Sequence, residues 1–537
     1  MSDASDAPAR TDAGPRLPVP VAALTGLLGL LAALAAGHLV AAFVGPTASP
    51  YLAVGNSAID LTPVEVKDWA VQTFGTYDKV VLLGGMALVM VLVSVVAGLL
   101  SRRSALPGTI VITLFGLVGG VAVYTRPDLG QLALVAPLVS LGAGLAAFRW
   151  LHALGLRNVS APQGHVPATQ DADTASLSAD TASPRRRFLV GASGVAVGAG
   201  VLGLGGQLIG RSRSAQGSRA ALGTLEVAEK APPLPPGADF AKAGTPTFIT
   251  PNKDFYRVDT ALVVPQVRAE DWSLRVHGMV DNELVLDYDD IRGRPLVERT
   301  ITMCCVSNEV GGPYISTANF IGIELAGVLE QAGVRQGAQQ LFSTSVDGWT
   351  CGTPVEAALD RERGALLAIG MNGEPLPLEH GFPVRMVVPG LYGYVSATKW
   401  LTDIEITTWD ARRAYWLDRS WAREAPIKTQ SRIDSPQGFE KVPAGNVTVA
   451  GIAWAQTIGI EKVEVRLDDG PWREAELSTS VNEDTWRMWR LELDPAPGQH
   501  RVTTRATDKS GYTQTGERQG TIPDGATGRH TVLFEVT

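Results

Sequence analysis

Five long uncharged segments in the first 210 residues constrain the fold of this chain more than any other feature. Residues 21–44, 80–100, 108–124, 129–148 and 188–210 contain no Asp, Glu, Lys or Arg. A helix needs about 20 apolar residues to cross ~30 Å of hydrocarbon, although one such run is also compatible with a buried core helix. Five of them so close together favour an N-terminal α-helical transmembrane bundle.

Lys and Arg in the short loops predict how this bundle is oriented. If all five segments span, one side carries Arg10, Arg16, Arg102, Arg103, Arg149, Arg157 and Arg185–Arg187. The other side carries only Lys67, Lys79 and Arg126 before the last segment, and Arg211, Arg213 and Arg219 after it. We therefore expect a multi-pass protein of the cell membrane, with a cytoplasmic N-terminus and an extracytoplasmic region after residue 210.

Residues 1–157 thus form a four-helix transmembrane region, which a polar cytoplasmic linker at 158–184 separates from residues 185–210. The latter read RRRFLVGASGVAVGAG from Arg185 onward, which resembles a twin-arginine export signal at an internal position. A plain basic stop before a helix is the alternative interpretation. Gly194 and Gly198 fit close helix packing. His38 and His152 leave open a haem held by two histidines.

The remaining sequence predicts a Pro- and Ala-rich linker at 211–245 and two globular domains. Residues 246–422 mix a strand at WSLRVHGMV, a helix at 324–334 and a short buried strand at FPVRMVVPG, which favours an α+β domain. Residues 423–537 contain short alternating strands such as EKVEVRLDDG, which are typical of an immunoglobulin-like β-sandwich. The net charge of −8 and the absence of a sustained basic run argue against a nucleic-acid partner.

Two of the three cysteines are adjacent, in the stretch ITMCCVSNEVGG. Adjacent cysteines rarely bridge each other, because the ring is strained. A disulfide from either one to Cys351, a nucleophilic thiolate and a small buried residue are alternatives. A lone thiolate is also suited to be one protein ligand of a soft metal whose other ligands come from a cofactor.

Residues suited to a phosphate-bearing cofactor occur on both sides of this pair. The stretch NKDFYRVDT includes Asn252, Tyr256 and Arg257, and HGFPVRMVVPGLYGYVSATKW includes His380, Arg385 and Lys399. Arg and Lys side chains, together with backbone N–H groups, pair with phosphate oxygens. For His380 and Arg385, each taken alone, a surface position or a satisfied core position is the better explanation.

Together these motifs resemble the sulfite oxidase family of molybdopterin enzymes over about residues 245–537. TMCCVSN is similar to the T-L-x-C-x-x-N segment of the family, and HGFPVRMVVPG…KW to its cofactor-binding segment. The C-terminal sandwich is similar to the dimerisation domain of the family. The resemblance implies two-electron oxygen-atom transfer at a molybdenum–molybdopterin cofactor, with single electrons passed to a cytochrome or membrane haem protein.

The resemblance also implies roles for individual residues. Cys305 matches the molybdenum ligand, which makes Cys304 a buried neighbour. The residues that match pterin and phosphate contacts are Asn252, Tyr256, Arg257, Asn308, His380, Arg385, Thr398 and Lys399. Arg257 also matches an arginine that faces the substrate, and Trp349 stands where the family has a tyrosine near the metal.

Two departures bear on the substrate. Sulfite oxidases follow the C-x-x-N segment with two arginines, where this chain has Glu309 and Val310. A dianionic substrate favours a cationic pocket, so a neutral sulfoxide of the methionine sulfoxide type competes with sulfite as the small-molecule substrate. A membrane receptor with a vestigial cofactor fold is the alternative from outside the enzymes. The sandwich allows a homodimer.

Overall fold

The computed structural model describes residues 15–74, 77–126, 129–160, 184–212 and 215–537, and the chain divides into two compact units. The first unit covers Met1–Arg213 with Ala261–Val263, and the second covers Ser214–Thr260 with Val264–Thr537. Arg10, Arg213 and residues 161–183 of the predicted cytoplasmic linker lie outside the described residues.

The described part of the first unit is helical. Its helices are α1 (Val19–Val44), α2 (Pro50–Leu61), α3 (Val64–Phe74), α4 (Asp78–Leu100), α5 (Leu106–Tyr124), α6 (Val135–Ser160) and α7 (Pro184–Ser212). Five stretches are long and apolar enough to cross a membrane by length and composition: Val19–Val44, Asp78–Leu100, Leu106–Tyr124, Gln131–Arg157 and Arg186–Leu208. Each overlaps one of the five predicted segments, and α6 continues through residues 158–160, which we had assigned to the linker.

Two glycines bring α1 and α4 together. A Cβ atom on Gly26 would overlap the carbonyl oxygen of Ser94, and a Cβ atom on Gly98 would overlap that of Ala22. Among the described residues, a Cβ atom at Gly194 or Gly198 would meet nothing within 4 Å. The prediction of close packing at those two positions is therefore wrong, because that face of α7 contacts no other described helix.

His38 and His152, the two candidate ligands of a haem, are far apart. Gly37, next to His38 on α1, packs against Ser140, and Gly155 of α6 packs against Leu17. His152 lies twelve residues after Ser140, which is about 18 Å of helix rise. Its Nε2 is 2.6 Å from the carbonyl oxygen of Ser101. A haem shared by these two histidines is excluded.

The second unit begins with a domain of one mixed sheet, one antiparallel sheet and short helices. Its strands are β1 (Ser273–Gly278), β2 (Leu284–Asp287), β3 (Val297–Cys304), β4 (Ile315–Glu324), β5 (Gln340–Ser345), β6 (Thr350–Pro354), β7 (Leu366–Met371), β8 (Glu374–Pro375), β9 (Arg385–Val387) and β10 (Leu401–Thr407). Its helices are α8 (Ala215–Ala221), α9 (Tyr288–Arg292), α10 (Leu325–Ala332), α11 (Val355–Leu359) and α12 (Gly393–Ser396). One sheet has the order β2-β1-β10-β5-β6, and the other has the order β3-β4-β7-β8 with β9 paired to β7. This arrangement agrees with the predicted α+β class.

Local sequence explains the elements nearest the site. α10 ends at Gly333, whose φ of 72° only glycine adopts without strain. β9 is buried at all three positions, as its apolar sequence around Arg385 predicts. β3 and β4 pair antiparallel with Cys304 opposite Ile315, so residues 305–314 form the loop that joins them.

The C-terminal domain has two sheets around one core. Its strands are β11 (Gln430–Ser435), β12 (Lys441–Val442), β13 (Val447–Trp454), β14 (Ile460–Leu467), β15 (Arg473–Glu474), β16 (Glu476–Leu477), β17 (Arg487–Leu493), β18 (Gly498–Asp508) and β19 (Thr531–Val536). The sheet orders are β11-β13-β17-β16 and β12-β19-β18-β14-β15, and both sheets contribute to a shared hydrophobic cluster. Val463 and Val465 of β14 point into that cluster, as their alternation predicts. The immunoglobulin-like topology stays a prediction.

The two domains of the second unit meet at β3, the strand that ends at Cys304. Cys304 belongs to a hydrophobic cluster with Trp454, Trp486 and Met488 of the C-terminal domain. The Trp486 backbone N–H donates to Thr302 Oγ1 at 2.8 Å. Ala238 and Phe240 lie in the same cluster, so part of the predicted 211–245 linker packs on this unit.

Candidate functional site

Cys305 lies just past the end of β3, at the start of the 305–314 loop. Its backbone N–H donates to the carbonyl oxygen of Tyr314 at 3.0 Å, and its carbonyl oxygen accepts from the Asn308 N–H at 3.0 Å. The side-chain oxygen of Asn308 accepts from the Tyr314 N–H at 2.8 Å. These three hydrogen bonds close the loop on itself and fix the position of Cys305. The expected contact of Asn308 with a cofactor stays a prediction.

The two adjacent thiols differ in environment. Cys304 is 2% exposed within the interdomain cluster, whereas Cys305 is half-buried, and all three cysteines of the chain are unpaired. The disulfide to Cys351 is therefore not formed. Burial and the neighbouring Cys305 raise the pKa of Cys304 well above its usual value. Burial also raises the pKa of Cys305, while hydrogen bonds from Ser307 and the charge of Lys399 oppose the rise.

The described residues contain no group of three or more His, Cys, Asp or Glu side chains able to hold a metal. A metal at Cys305 therefore needs most of its ligands from a non-protein group. This fits a soft metal that takes one thiolate from the protein.

Arg385 is a buried cation with an unsatisfied donor. Its side chain is 3% exposed, its Nη1 donates to the carbonyl oxygen of His380 at 3.1 Å, and its guanidinium carbon lies 5.7 Å from the ring centroid of Phe320. Its Nε has no hydrogen-bond partner among the described residues. Burial lowers the pKa of Arg385 to about 10. A buried guanidinium with an unsatisfied N–H donor is suited to bind an anionic ligand.

His380 supplies an unsatisfied acceptor at the same place. Its ring is 2% exposed, and Nε2 is 3.0 Å from the carbonyl oxygen of Asn252. Burial, followed by the charges of Lys399 and Arg385, lowers its pKa to about 3, so the ring is neutral. A carbonyl oxygen accepts only, hence Nε2 carries the proton and Nδ1 is an acceptor. Nδ1 has no partner among the described residues.

Lys399 and Arg257 share one carboxylate that the sequence reasoning missed. Lys399 Nζ donates to Asp259 Oδ2 at 3.0 Å and to the carbonyl oxygen of Glu379 at 2.9 Å. Arg257 Nε donates to the same oxygen of Asp259 at 2.8 Å. Burial lowers the pKa of Lys399 to about 8, against the opposing charge of Asp259. The Arg-x-Asp spacing inside YRVDT was the only sequence signal for Asp259.

Tyr256 is coupled electrostatically to both adjacent thiols and to Arg385. Its ring stacks on Phe255 with centroids 5.3 Å apart, and its backbone N–H donates to Ser316 Oγ at 3.2 Å. Burial raises the pKa of Tyr256 well above its usual value, Cys305 and Cys304 raise it further, and Arg385 opposes the rise. The phenol is therefore neutral and electrostatically coupled to both groups.

Three other predicted residues have contacts within the protein. Asn252 donates to Glu374 Oε1 at 2.6 Å and accepts from Asn372 Nδ2 at 2.8 Å, so its amide is engaged while its backbone oxygen orients His380. Thr398 is fully buried, and its hydroxyl lies 2.7 Å from Ser343 Oγ. Trp349 lies in the turn between β5 and β6, where its backbone N–H donates to Asp347 Oδ1 at 3.3 Å. Their contacts with cofactor or substrate stay predictions.

Known proteins match the same part of the chain. The family described as "Oxidoreductase molybdopterin binding domain" matches residues 261–416, and "Mo-co oxidoreductase dimerisation domain" matches residues 422–521. Sulfite oxidase of Gallus gallus is 30% identical over 311 residues, which cover 49% of this chain and 67% of that protein. The chain belongs to the sulfite oxidase family of molybdenum-cofactor oxidoreductases.

The matches within this family are partial. Mitochondrial sulfite oxidase of Homo sapiens is 32% identical over 321 residues, which cover 50% of this chain and 57% of that protein. The chain thus spans little more than half the length of that relative. The sulfane dehydrogenase SoxCD from Paracoccus pantotrophus is 22% identical and covers 57% of this chain and 88% of its own, with a TM-score of 0.49.

The residues at the site fit the cofactor that the family implies. A pterin with a phosphate offers both hydrogen-bond donors and a dianion, and the site offers one buried acceptor (His380 Nδ1) and one buried donor (Arg385 Nε) without protein partners. Lys399 adds a second cation. The soft donor, Cys305, is coupled electrostatically to Lys399 and Tyr256.

Proposed function

We propose that this protein is a membrane-anchored molybdopterin oxidoreductase that transfers an oxygen atom in a two-electron reaction at an extracytoplasmic site. The observation that carries the proposal is the unsatisfied nitrogen on each of the buried side chains of Arg385 and His380. These side chains are linked electrostatically to Cys305 through Lys399 and Tyr256. Burying a charge without a partner is costly unless a ligand compensates it. A non-catalytic receptor that binds no cofactor would have no ligand to offset the unfavourable burial of Arg385.

The side chains of the site have separate tasks in this proposal. Cys305 supplies the thiolate ligand of molybdenum, and the hydrogen-bonded 305–314 loop holds it in place. Arg385 and Lys399 bind the phosphate, and His380 accepts a hydrogen bond from the pterin through Nδ1. Tyr256, a neutral phenol, is coupled electrostatically to Cys305. When bound, the cofactor supplies the two-electron redox chemistry.

Arg257 is the residue proposed to face the substrate. Its side chain is 37% exposed, and Asp259 fixes the guanidinium by accepting from Nε at 2.8 Å. Oxidation of sulfite would take one oxygen atom from water and release two protons and two electrons. The electrons leave singly to a separate cytochrome or membrane haem protein. Trp349 is proposed to border the same pocket.

A sulfoxide is the second candidate substrate, and the residues after Asn308 favour it. Glu309, which is exposed, is an anion, and Val310, which is 7% exposed, is uncharged. Neither position therefore places a cation in the loop. A neutral sulfoxide needs no cationic pocket, and its reduction consumes two protons and two electrons and releases water. Sulfite oxidation and sulfoxide reduction therefore run electrons in opposite directions through the same site.

The N-terminal helices and the C-terminal domain support proposals about the location and the oligomeric state of this protein. Five helices of spanning length and the basic loops support a multi-pass membrane protein with a cytoplasmic N-terminus. The twin-arginine-like segment at 185–187 supports export of a domain already folded around its cofactor. The match to a dimerisation domain supports a homodimer through the C-terminal sandwich.

Metal analysis and turnover assays test this proposal. We expect the full-length protein, expressed in a host that makes molybdopterin, to contain about one molybdenum per chain. Absence of molybdenum after such expression would contradict the enzyme proposal. Sulfite oxidation with a cytochrome acceptor, against methionine sulfoxide reduction with a reduced donor, then distinguishes the two substrates.

A further inference from the structure

Three arginines of the C-terminal domain surround a single tryptophan. The guanidinium carbons of Arg466, Arg505 and Arg529 lie 4.9, 4.3 and 5.2 Å from the ring centroid of Trp472. Arg466 is on β14, Arg505 is on β18, and Arg529 precedes β19. The arginine cluster therefore draws on two neighbouring strands of one sheet and on the segment that leads into a third.

Strand register brings these cations to one face. Glu464 of β14 is directly opposite Arg505 of β18, and Arg466 is opposite Thr503. Residues two apart on a strand project from the same face, so Glu464, Arg466 and Arg505 lie side by side. Contact with the Trp472 ring favours defined positions for the guanidinium groups of Arg466, Arg505 and Arg529 before any ligand arrives.

Positive charge in the arginine cluster exceeds negative charge. Arg505 pairs with Glu464 through two hydrogen bonds of 3.0 Å, and Lys462 also lies 3.5 Å from that carboxylate. Among the residues that the structure describes, the side chains of Arg466 and Arg529 have no hydrogen-bond or ion-pair partner. The Nε atoms of both are buried. Burial lowers the pKa of Arg529, and Arg505 and Arg466 lower it further.

We propose that Arg466, Arg505 and Arg529, held on Trp472, form a binding site for a free tetrahedral oxoanion of the sulfate or phosphate class. Two guanidiniums without an ion-pair partner among the described residues match the charge of such a dianion, and planar guanidinium groups bind oxoanions through paired N–H donors. Convergence on one ring favours a small ion over the extended acidic surface of a protein. The site is independent of the proposed redox reaction.

Calorimetric titration of the full-length holoprotein with sodium sulfate, at constant ionic strength against sodium chloride, tests the proposal. We expect saturable sulfate binding that an Arg466→Gln/Arg529→Gln double variant weakens at least tenfold. Arg490→Gln is the matched control, because Arg490 also lies over an aromatic ring (4.6 Å from Phe240) but is fully paired with Glu476. This control should bind sulfate as the wild type does.

Two results would overturn the proposal. The first is no saturable binding of sulfate or inorganic phosphate above the effect of chloride. The second is equal binding by the wild type and the double variant, which would place the anion elsewhere, for example near Arg257. If the double variant does not fold, Arg529→Gln alone repeats the test. Arg529 lies outside the strands, so this substitution disturbs no hydrogen bonds between strands.

Discussion

Asp259 and Lys399 form a buried ion pair at the candidate cofactor site, with Nζ and Oδ2 3.0 Å apart and side chains 7% and 11% exposed. Lys399 uses a second N–H on the carbonyl oxygen of Glu379. An ammonium group has three donors, so one remains for a phosphate oxygen. Asp259 thus orients the ammonium group of Lys399. Its single negative charge compensates only part of the combined positive charge of Lys399 and Arg257.

Removing the carboxylate should make cofactor binding more sensitive to alkaline pH. The pKa of Lys399 in the cofactor-free protein is about 8, and Asp259 raises it against burial. The lysine is charged below this pKa, so phosphate affinity falls as pH rises through about 8. In Asp259→Asn the fall should begin at lower pH, which reconstitution with molybdopterin between pH 7 and 9 would measure.

The surface pair of Asp281 and Arg335, with N and O atoms 2.9 Å apart, offers the control. Asp281→Asn should leave the pH profile of reconstitution unchanged. An Asp259→Asn protein with the profile of the wild type would show that Asp259 does not govern the charge of Lys399.

Arg385→Met should separate cofactor retention from stability. The variant loses a charged hydrogen-bond donor to the cofactor, which is worth about 1.5–3 kcal/mol, or a loss of affinity of roughly 10- to 150-fold. It also removes a buried charge that has no ion-pair partner among the described residues. We therefore expect a much lower molybdopterin content, with a melting temperature of the cofactor-free protein no lower than that of the wild type. A large drop in that melting temperature would mean that Arg385 has a structural role instead.

His530 should make the C-terminal domain sensitive to acid. Its Nδ1 accepts from the Ile433 N–H at 3.0 Å, and burial with the charges of Arg432 and Arg518 lowers its pKa to about 4. The unfolded chain takes up a proton near pH 6.5 but the folded chain does not, so stability falls as pH drops from about 6.5 toward 4. By linkage the loss at pH 5 is at most about 2 kcal/mol.

His530→Gln keeps an acceptor but does not titrate. Denaturation followed by tryptophan fluorescence at pH 7 and pH 5 should show a smaller acid-induced loss in this variant than in the wild type. Equal losses in the two proteins would assign the acid sensitivity to other groups.

The role of the twin-arginine-like segment at residues 185–187 can be tested without the cofactor. Arg185→Lys/Arg186→Lys/Arg187→Lys keeps every charge, so it should leave insertion of the other helices intact. It should block export of residues 246–537 if the twin-arginine route is used, as read by protease accessibility from outside. Arg102→Lys/Arg103→Lys is the control and should not change accessibility. Normal export of the triple variant would favour the plain basic stop.

Periodic and motif-based features of this chain were predictable from the sequence. The five apolar segments are visible as uncharged runs, α10 as a helical repeat ended by Gly333, and β14 as an alternation of Val463 and Val465. Cys304 was correctly expected to be buried, because cysteine is a common small buried residue and the motif assigns the ligand position to Cys305.

Features that depend on contacts between distant segments were not predictable. Asp259 serves two cations because a loop near residue 257 meets the segment that follows β9, and no local pattern encodes that meeting. Gly194 and Gly198 of α7 match a helix-packing motif, but the close approach of two helices occurs between α1 and α4, at Gly26 and Gly98. Such a contact depends on which helix lies opposite the glycine, and the local sequence does not specify that. Part of the proline-rich 211–245 stretch is anchored through Phe240 instead of forming a linker along its whole length.

The central claim is that Cys305, and not its neighbour, holds molybdenum. Metal analysis of Cys305→Ser and Cys304→Ala, both expressed in a host that makes molybdopterin, tests this most directly. We expect Cys305→Ser to lose molybdenum while keeping its fold, because serine is a poor ligand for a soft metal. Cys304→Ala should retain about one molybdenum per chain, because its side chain packs against the C-terminal domain. Molybdenum retained in Cys305→Ser and lost in Cys304→Ala would contradict the account.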